Sequence, residues 1–148
     1  MKLALSLLLL LASATQASAA APLGARQYYE TTWTYSTTQN YYYVNYYYRT
    51  TVTQTTYDYH YCIYYPSQPS YVYYYNPQTH AYWGRYKIGS KGDERYSILD
   101  EKDRKENFKD IPEEAFPKPA AMPAIPGSKD KVQMDTPPEN VPKDKDKK

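Results

Sequence analysis

Three residues in the middle of the chain have side chains that commonly bind metals or react: His60, Cys62 and His80. His60 and Cys62 are two positions apart, so on a β-strand their side chains would lie on the same face. Together with His80 they would form a three-ligand set for a metal ion such as zinc. That spacing is loose, however, and a histidine in a turn is commonly solvated. The sequence therefore predicts no metal site.

Cys62 is the only cysteine of the chain. It has two interpretations: a small buried side chain beside Ile63, or, in an exported protein, an intermolecular disulfide. Motifs of serine hydrolases, zinc proteases and phosphate-binding loops are missing from the sequence. The tyrosine-rich part offers only Glu30 and Asp58 as carboxylates for acid-base chemistry. We therefore expect neither an enzyme nor a cofactor.

Tyrosine is the most informative residue type, because all 21 tyrosines lie between Tyr28 and Tyr96, where there is no phenylalanine. Its flat ring and its hydroxyl suit half-wet sheet surfaces and protein contacts better than a dry core. We expect the tyrosines to form a contact surface on a hairpin, with five predicted contact residues: Tyr73, Tyr75, Tyr82, Trp83 and Tyr86.

The N-terminus has the pattern of a secretory signal. Lys2 precedes an apolar run over residues 3–12, and Ala17-Ser18-Ala19 matches an Ala-x-Ala cleavage site. The run is about half the roughly 20 residues that span a bilayer. Residues 1–20 are therefore predicted to be a signal peptide, and the mature protein is predicted to be secreted, either periplasmic or extracellular, without a membrane span.

The remaining chain divides by composition. Residues 21–56 are low-complexity and rich in Tyr and Thr, and they are as consistent with a ragged strand or a disordered linker as with a fixed strand. Such a tract could also self-associate. Residues 57–99 predict a small antiparallel β-meander of three or four strands, at residues 59–65, 71–75, 81–88 and 95–99. Asn76 and Pro77 between the second and third of these suit a tight turn.

The last third of the chain is charged and rich in proline. Residues 100–117 predict a charged loop or a short helix, in which Asp110 caps one turn that places Ile111 and Phe116 on the sheet. Residues 118–148, rich in Pro, Lys and Asp, predict a disordered tail with polyproline segments. The expected fold class is a mostly disordered chain with a small all-β part and one short helical turn.

Two resemblances support this interpretation. Residues 73–79, followed by Tyr82-Trp83, resemble the aromatic hairpins of WW and OCRE modules. The series Tyr-Tyr-Asn-Pro at 74–77, Tyr-Trp-Gly-Arg at 82–85, Tyr-Ser-Ile-Leu at 96–99 and Met-Pro-Ala-Ile-Pro at 122–126 is similar to uncharacterised, Tyr/Pro-rich secreted proteins of large-genome budding bacteria. The second resemblance implies an exported protein whose hairpin and tail form one unit, and it implies no known activity.

These observations favour a non-catalytic structural or interaction protein of the cell envelope or the exterior. Polyproline segments bind aromatic grooves, so the expected partner is an envelope protein or a Pro-rich peptide, including the chain's own residues 119–126. A carbohydrate-binding module with an aromatic stacking face is the alternative. The net charge of +2 gives no reason to expect a nucleic-acid partner.

Overall fold

The computed structural model describes residues 24–143, so the predicted signal peptide lies outside the described residues. Seven strands form one antiparallel sheet: β1 (Gln27–Tyr29), β2 (Thr34–Ser36), β3 (Tyr41–Tyr48), β4 (Asp58–Tyr64), β5 (Tyr71–Asn76), β6 (Ala81–Lys87) and β7 (Tyr96–Ile98). Strands β3 to β7 are a meander in chain order, and β1 and β2 both pair with β3 at one edge. Within residues 24–143, no helix has the length and apolarity that crossing a membrane requires.

The tyrosine tract before residue 56 is part of this sheet, so the sheet is larger than the predicted meander of three or four strands. Of the alternatives that the sequence leaves open for the tract, the structure shows fixed strands. In β3 the side chains alternate strictly, since Tyr42, Val44, Tyr46 and Tyr48 are buried and the residues between them are half-buried. A strand with tyrosine on both faces has a fixed register here because each face meets a different layer of the same chain.

The β5–β6 hairpin closes through the turn that the sequence indicates. Asn76 Oδ1 accepts hydrogen bonds from the backbone N–H groups of Gln78 at 2.9 Å and Thr79 at 3.4 Å. His80 completes the turn with a left-handed φ of 53°. Further along β6 the register shifts, with Tyr75 opposite Tyr82 and Tyr74 opposite Gly84, so Trp83 is the extra residue of a β-bulge.

One face of the sheet is covered by residues 118–143, which we call the tail, and this face is called the tail-covered face. Ile125 and Met134 of the tail are 1% and 3% exposed and join a core cluster with Tyr46, Trp83 and Tyr96. The prediction of a disordered tail is therefore wrong for residues 118–143. A few well-spaced apolar side chains dock this proline-rich segment on aromatic rings, although its composition is mostly polar.

Polar contacts hold the tail in place along its length. Backbone hydrogen bonds of 2.7 and 2.9 Å pair Ala120 with Tyr96 at the edge strand β7. Further on, Arg26 forms an ion pair of 2.6 Å with Asp130, and Arg95 forms one of 2.5 Å with Glu139. The tail thus connects both ends of the sheet, from the segment before β1 to β7.

The opposite face is partly covered by residues 99–117, which we call the connecting segment. It contains three 3₁₀ turns, at Glu101–Asp103, Phe108–Asp110 and Glu113–Ala115. Ile111 and Phe116 pack against Ile63, Tyr73 and Tyr82, as the sequence predicts. The predicted cap at residue 110 is wrong, because the third turn begins after Pro112 and has no side-chain cap.

Candidate contact surface

The face of the sheet opposite the tail is only partly covered by the connecting segment. Its uncovered part presents six partly exposed tyrosines, which we call the open tyrosine face: Tyr28, Tyr43, Tyr47, Tyr59, Tyr61 and Tyr75. Tyr59 is 39% exposed and the other five are half-buried. Tyr28, Tyr47 and Tyr59 belong to neither core cluster, and the other three lie at the margin of the cluster under the connecting segment.

Strand geometry places these side chains together. Tyr47 lies opposite Tyr59, and Tyr61 lies opposite both Asn45 and Tyr75, so odd-numbered residues of β3, β4 and β5 share one face. The rings form a continuous row across the strands, with centroids 4.9 Å apart for Tyr28 and Tyr47, 6.0 Å for Tyr47 and Tyr59, and 6.3 Å for Tyr61 and Tyr75. Cross-strand aromatic pairs of this kind stabilise the sheet.

The orientation of the rings decides what the surface can contact. Tyr28 and Tyr47 are stacked with an interplanar angle of 23°, as are Tyr61 and Tyr75. Tyr43 instead meets Tyr61 edge-on at 80°. In the Tyr28–Tyr47 pair, with centroids 4.9 Å apart, each ring partly covers a π-face of the other, so these two rings offer their edges and hydroxyl groups more than free π-faces.

One carboxylate is built into this surface. Glu30 accepts hydrogen bonds from the Asn45 backbone N–H at 2.9 Å, the Asn45 side chain at 3.2 Å and the Tyr47 hydroxyl at 3.3 Å. These bonds fix Glu30 beside the row of rings and extend the pairing of β3 past the end of β1. The surface therefore combines aromatic area with one fixed negative charge.

Burial changes the pKa of three tyrosines of this face, Tyr28, Tyr47 and Tyr61. Burial raises the pKa of Tyr61 to about 12, and the nearby Tyr59 raises it further in the same direction. Burial also raises the pKa of Tyr28 and of Tyr47 above the ordinary tyrosine value. The hydroxyls of these three tyrosines stay protonated near neutral pH, and each can both donate and accept a hydrogen bond.

The five contact residues expected from the sequence are not all at this surface. Tyr75 is half-buried and belongs to the open tyrosine face, whereas Tyr73 and Tyr82 are buried under the connecting segment. Trp83 and Tyr86 are buried in the core cluster that includes tail residues. Sequence reasoning missed the tyrosines of β1, β3 and β4, because tyrosine occurs on both faces of β3 and no polar–apolar alternation in its sequence distinguishes them.

The residues with reactive or metal-binding side chains are dispersed. His60 Nε2 lies 3.1 Å from the Tyr48 hydroxyl, and Cys62 is fully buried with a free thiol. His80 is exposed in the β5–β6 turn. Among residues 24–143, no three His, Cys, Asp or Glu side chains converge in a way that could hold a metal ion.

Comparison of the chain with known proteins finds no match, whether against protein-family models, curated proteins or solved structures.

Proposed function

We propose that this chain is a non-catalytic, exported contact protein of the cell envelope or the exterior, and that its open tyrosine face binds another protein. The observation that carries the proposal is the row of partly exposed rings across β1, β3, β4 and β5. Protein-binding surfaces use tyrosine in this way, because the ring gives a large contact area at a low cost in conformational entropy and the hydroxyl adapts to polar partners.

A proline-rich partner segment fits this surface best. On its tail-covered face the sheet already buries Ile125 in a cluster with aromatic residues such as Trp83, and the flanking Pro123 and Pro126 are half-buried. Extended proline-rich peptides bind aromatic surfaces because they lose little conformational freedom on binding. The open tyrosine face has the same chemistry and keeps part of its aromatic area exposed.

Carbohydrate binding is supported less well. Sugar rings stack on the free faces of aromatic side chains, whereas Tyr28 and Tyr47 stack on each other with centroids 4.9 Å apart. A protein partner needs no free ring faces, since it can contact the ring edges and accept hydrogen bonds from the hydroxyl groups.

The secreted location rests on the signal pattern at residues 1–20.

The proposal is tested by measuring how much labelled mature protein is retained by an envelope preparation from the source cells. We expect Tyr59→Ser combined with Tyr61→Ser to lose most of the retention, whereas Val52→Ser, at an exposed loop position, keeps it. Pretreating the envelope with protease should abolish binding. Equal retention of both variants would contradict the proposal. Retention that survives protease treatment of the envelope, together with binding of the protein to purified polysaccharide, would favour the carbohydrate alternative.

A further inference from the structure

A cavity of about 420 Å³ lies on the tail-covered face, between the sheet and the tail. Its sheet side includes His60 and Trp83, and its tail side includes Pro123, Ile125 and Pro126. Cavities that bind small molecules usually measure roughly 300–1,000 Å³ and are mostly apolar with a few polar groups. The size and the aromatic and aliphatic lining thus suit a small organic molecule.

The tail part of the wall has a defined conformation. The Ile125 backbone N–H donates to the Val132 carbonyl at 2.8 Å, and Ala124 pairs with Gln133, which folds the tail back on itself. Gly127 makes this reversal with a left-handed φ of 72°. The wall of the cavity is therefore a fixed reversal of the chain.

Two ring nitrogens of residues that line the cavity lack partners. Trp83 Nε1 and His60 Nδ1 are buried, and neither has a hydrogen-bond partner among residues 24–143. The residues themselves are 8% and 4% exposed. Buried donors and acceptors are nearly always paired, so two unpaired atoms on neighbouring rings indicate a missing polar partner. The two rings are close, with centroids 5.5 Å apart.

The cavity has one charged side chain. Arg104 is the only charged residue among the described residues that line it, and its Nε donates to the Leu99 carbonyl at 3.1 Å, which fixes the base of the guanidinium group. His60 does not add a second positive charge near neutral pH, because burial lowers its pKa to about 4. One guanidinium group and one indole N–H make the cavity suitable for a singly charged anion.

We propose that this cavity binds a small carboxylate with an apolar body. The carboxylate pairs with Arg104 and accepts a hydrogen bond from Trp83 Nε1, while the apolar body lies against Ile125 and the neighbouring prolines. Binding here is independent of the proposed function, because the open tyrosine face lies on the other side of the sheet. A ligand in this cavity would also stabilise the docked tail, which forms one of its walls.

The test uses the mature full-length protein and two probes of similar shape, benzoate and its neutral counterpart benzamide. Amide proton-nitrogen spectra report the indole N–H signals of Trp83 and of Trp33, which does not line the cavity. We expect benzoate to shift the Trp83 signal saturably and the Trp33 signal little. Benzamide should bind at least about tenfold more weakly than benzoate, a ratio of dissociation constants that corresponds to about 1.4 kcal/mol.

Substitutions separate the charge from the fold. Arg104→Gln should weaken benzoate binding about tenfold or more and leave benzamide unchanged, Arg104→Lys should restore part of the affinity, and Lys102→Gln, an exposed position of the same segment, should have no effect. Absence of a saturable benzoate shift in the native protein would overturn the proposal even if Arg104→Gln fails to fold. Equal affinity for benzoate and benzamide would overturn the assignment of an anionic ligand.

Discussion

Arg85 holds Glu113 through two parallel hydrogen bonds, 2.9 Å from Nη1 and 2.6 Å from Nη2. The same guanidinium group lies between the rings of Tyr71 and Phe116, at 3.9 and 4.1 Å from their centroids. Arg85 belongs to β6, whereas Glu113 and Phe116 belong to the connecting segment. One buried cation therefore fastens that segment to the sheet by hydrogen bonds and by cation–π contact.

The first prediction concerns this contact. Arg85→Lys should lower the free energy of unfolding by about 1–3 kcal/mol, because lysine can neither form the paired bonds nor stack flat between two rings. Glu113→Gln should cost less than about 1 kcal/mol, since the Glu113 side chain is 72% exposed. Urea unfolding of both variants checks the order. A larger effect at Glu113 than at Arg85 would contradict it.

The second prediction concerns the contact between Gly84 and Tyr96. A Cβ atom at position 84 would overlap the hydroxyl end of the buried Tyr96 ring. Gly84→Ala should therefore destabilise the fold by about 1–3 kcal/mol through overpacking. Tyr96→Leu removes the ring and is expected to relieve the clash, so the double variant should lose less stability than the sum of the single variants. Additive losses in urea unfolding would show that the ring is not the cause.

The strands of the hairpins could be predicted because their signals are local. Two short aromatic runs and the turn at Asn76 between them define β5 and β6 without any distant contact. The strands before residue 56 could not be predicted, because tyrosine occurs on both faces of β3 and register depends on the layers that cover each face. The order of the tail was missed for a related reason. Burial of Ile125 and Met134 is a tertiary effect that composition does not reveal.

The same reason explains the open tyrosine face. The sequence marks an aromatic contact surface but cannot say which tyrosines the chain itself covers. Tyr73 and Tyr86 look no different in sequence from Tyr59 and Tyr61, yet the connecting segment and the tail bury the first pair and leave the second partly exposed. The candidate surface is therefore defined by what the last third of the chain does not cover.

The third prediction is a pH dependence of stability. His60 is buried, and its pKa is lowered from 6.5 to about 4, although Asp58 opposes this shift. Between these two values the unfolded chain binds a proton that the native protein does not, so stability should fall as pH decreases from about 6.5 and should be fully present above it. The loss by pH 4 is of the order of 3 kcal/mol.

Unfolding by urea between pH 5 and 7 measures the titration of His60 separately from that of carboxylates such as Glu113. The hydrogen bonds from Arg85 lower the pKa of Glu113 below its ordinary value, so this carboxylate titrates at lower pH. His60→Asn should have a flatter stability profile in that range. His80→Asn is the matched control, because His80 is exposed in a turn, and it should leave the slope unchanged. A slope that persists in His60→Asn would assign the titration to another group.

The fourth prediction concerns Cys62. Its thiol is fully buried, and burial raises its pKa above the ordinary value, so little thiolate forms and no reagent reaches it in the native protein. We expect labelling by a soluble thiol reagent to proceed only as fast as the protein unfolds, and to become immediate in urea. Rapid labelling of native protein, or a disulfide-linked dimer on a non-reducing gel, would instead support the intermolecular disulfide.

The last prediction concerns the tail. Ile125→Ala and Met134→Ala should each lower the free energy of unfolding by about 2–5 kcal/mol, because each removes a buried side chain that packs in the core cluster with aromatic residues of the sheet. Val132→Ala, in the same segment but 41% exposed, should cost little. Comparable losses for all three variants would mean that the tail contributes through its chain conformation rather than through these two contacts.

Removing the tail tests the same docking in a second way. A chain that ends at Pro117 should change the indole signal of Trp83, because the tail-covered face then meets water. A synthetic peptide of residues 118–148 should restore that signal saturably, whereas the same peptide carrying Ile125→Ala and Met134→Ala should not. Recovery would show that this aromatic face binds a proline-rich segment even without covalent linkage. An unchanged Trp83 signal on truncation would contradict the docking itself, and with it the chemical basis for expecting a proline-rich partner on the opposite face.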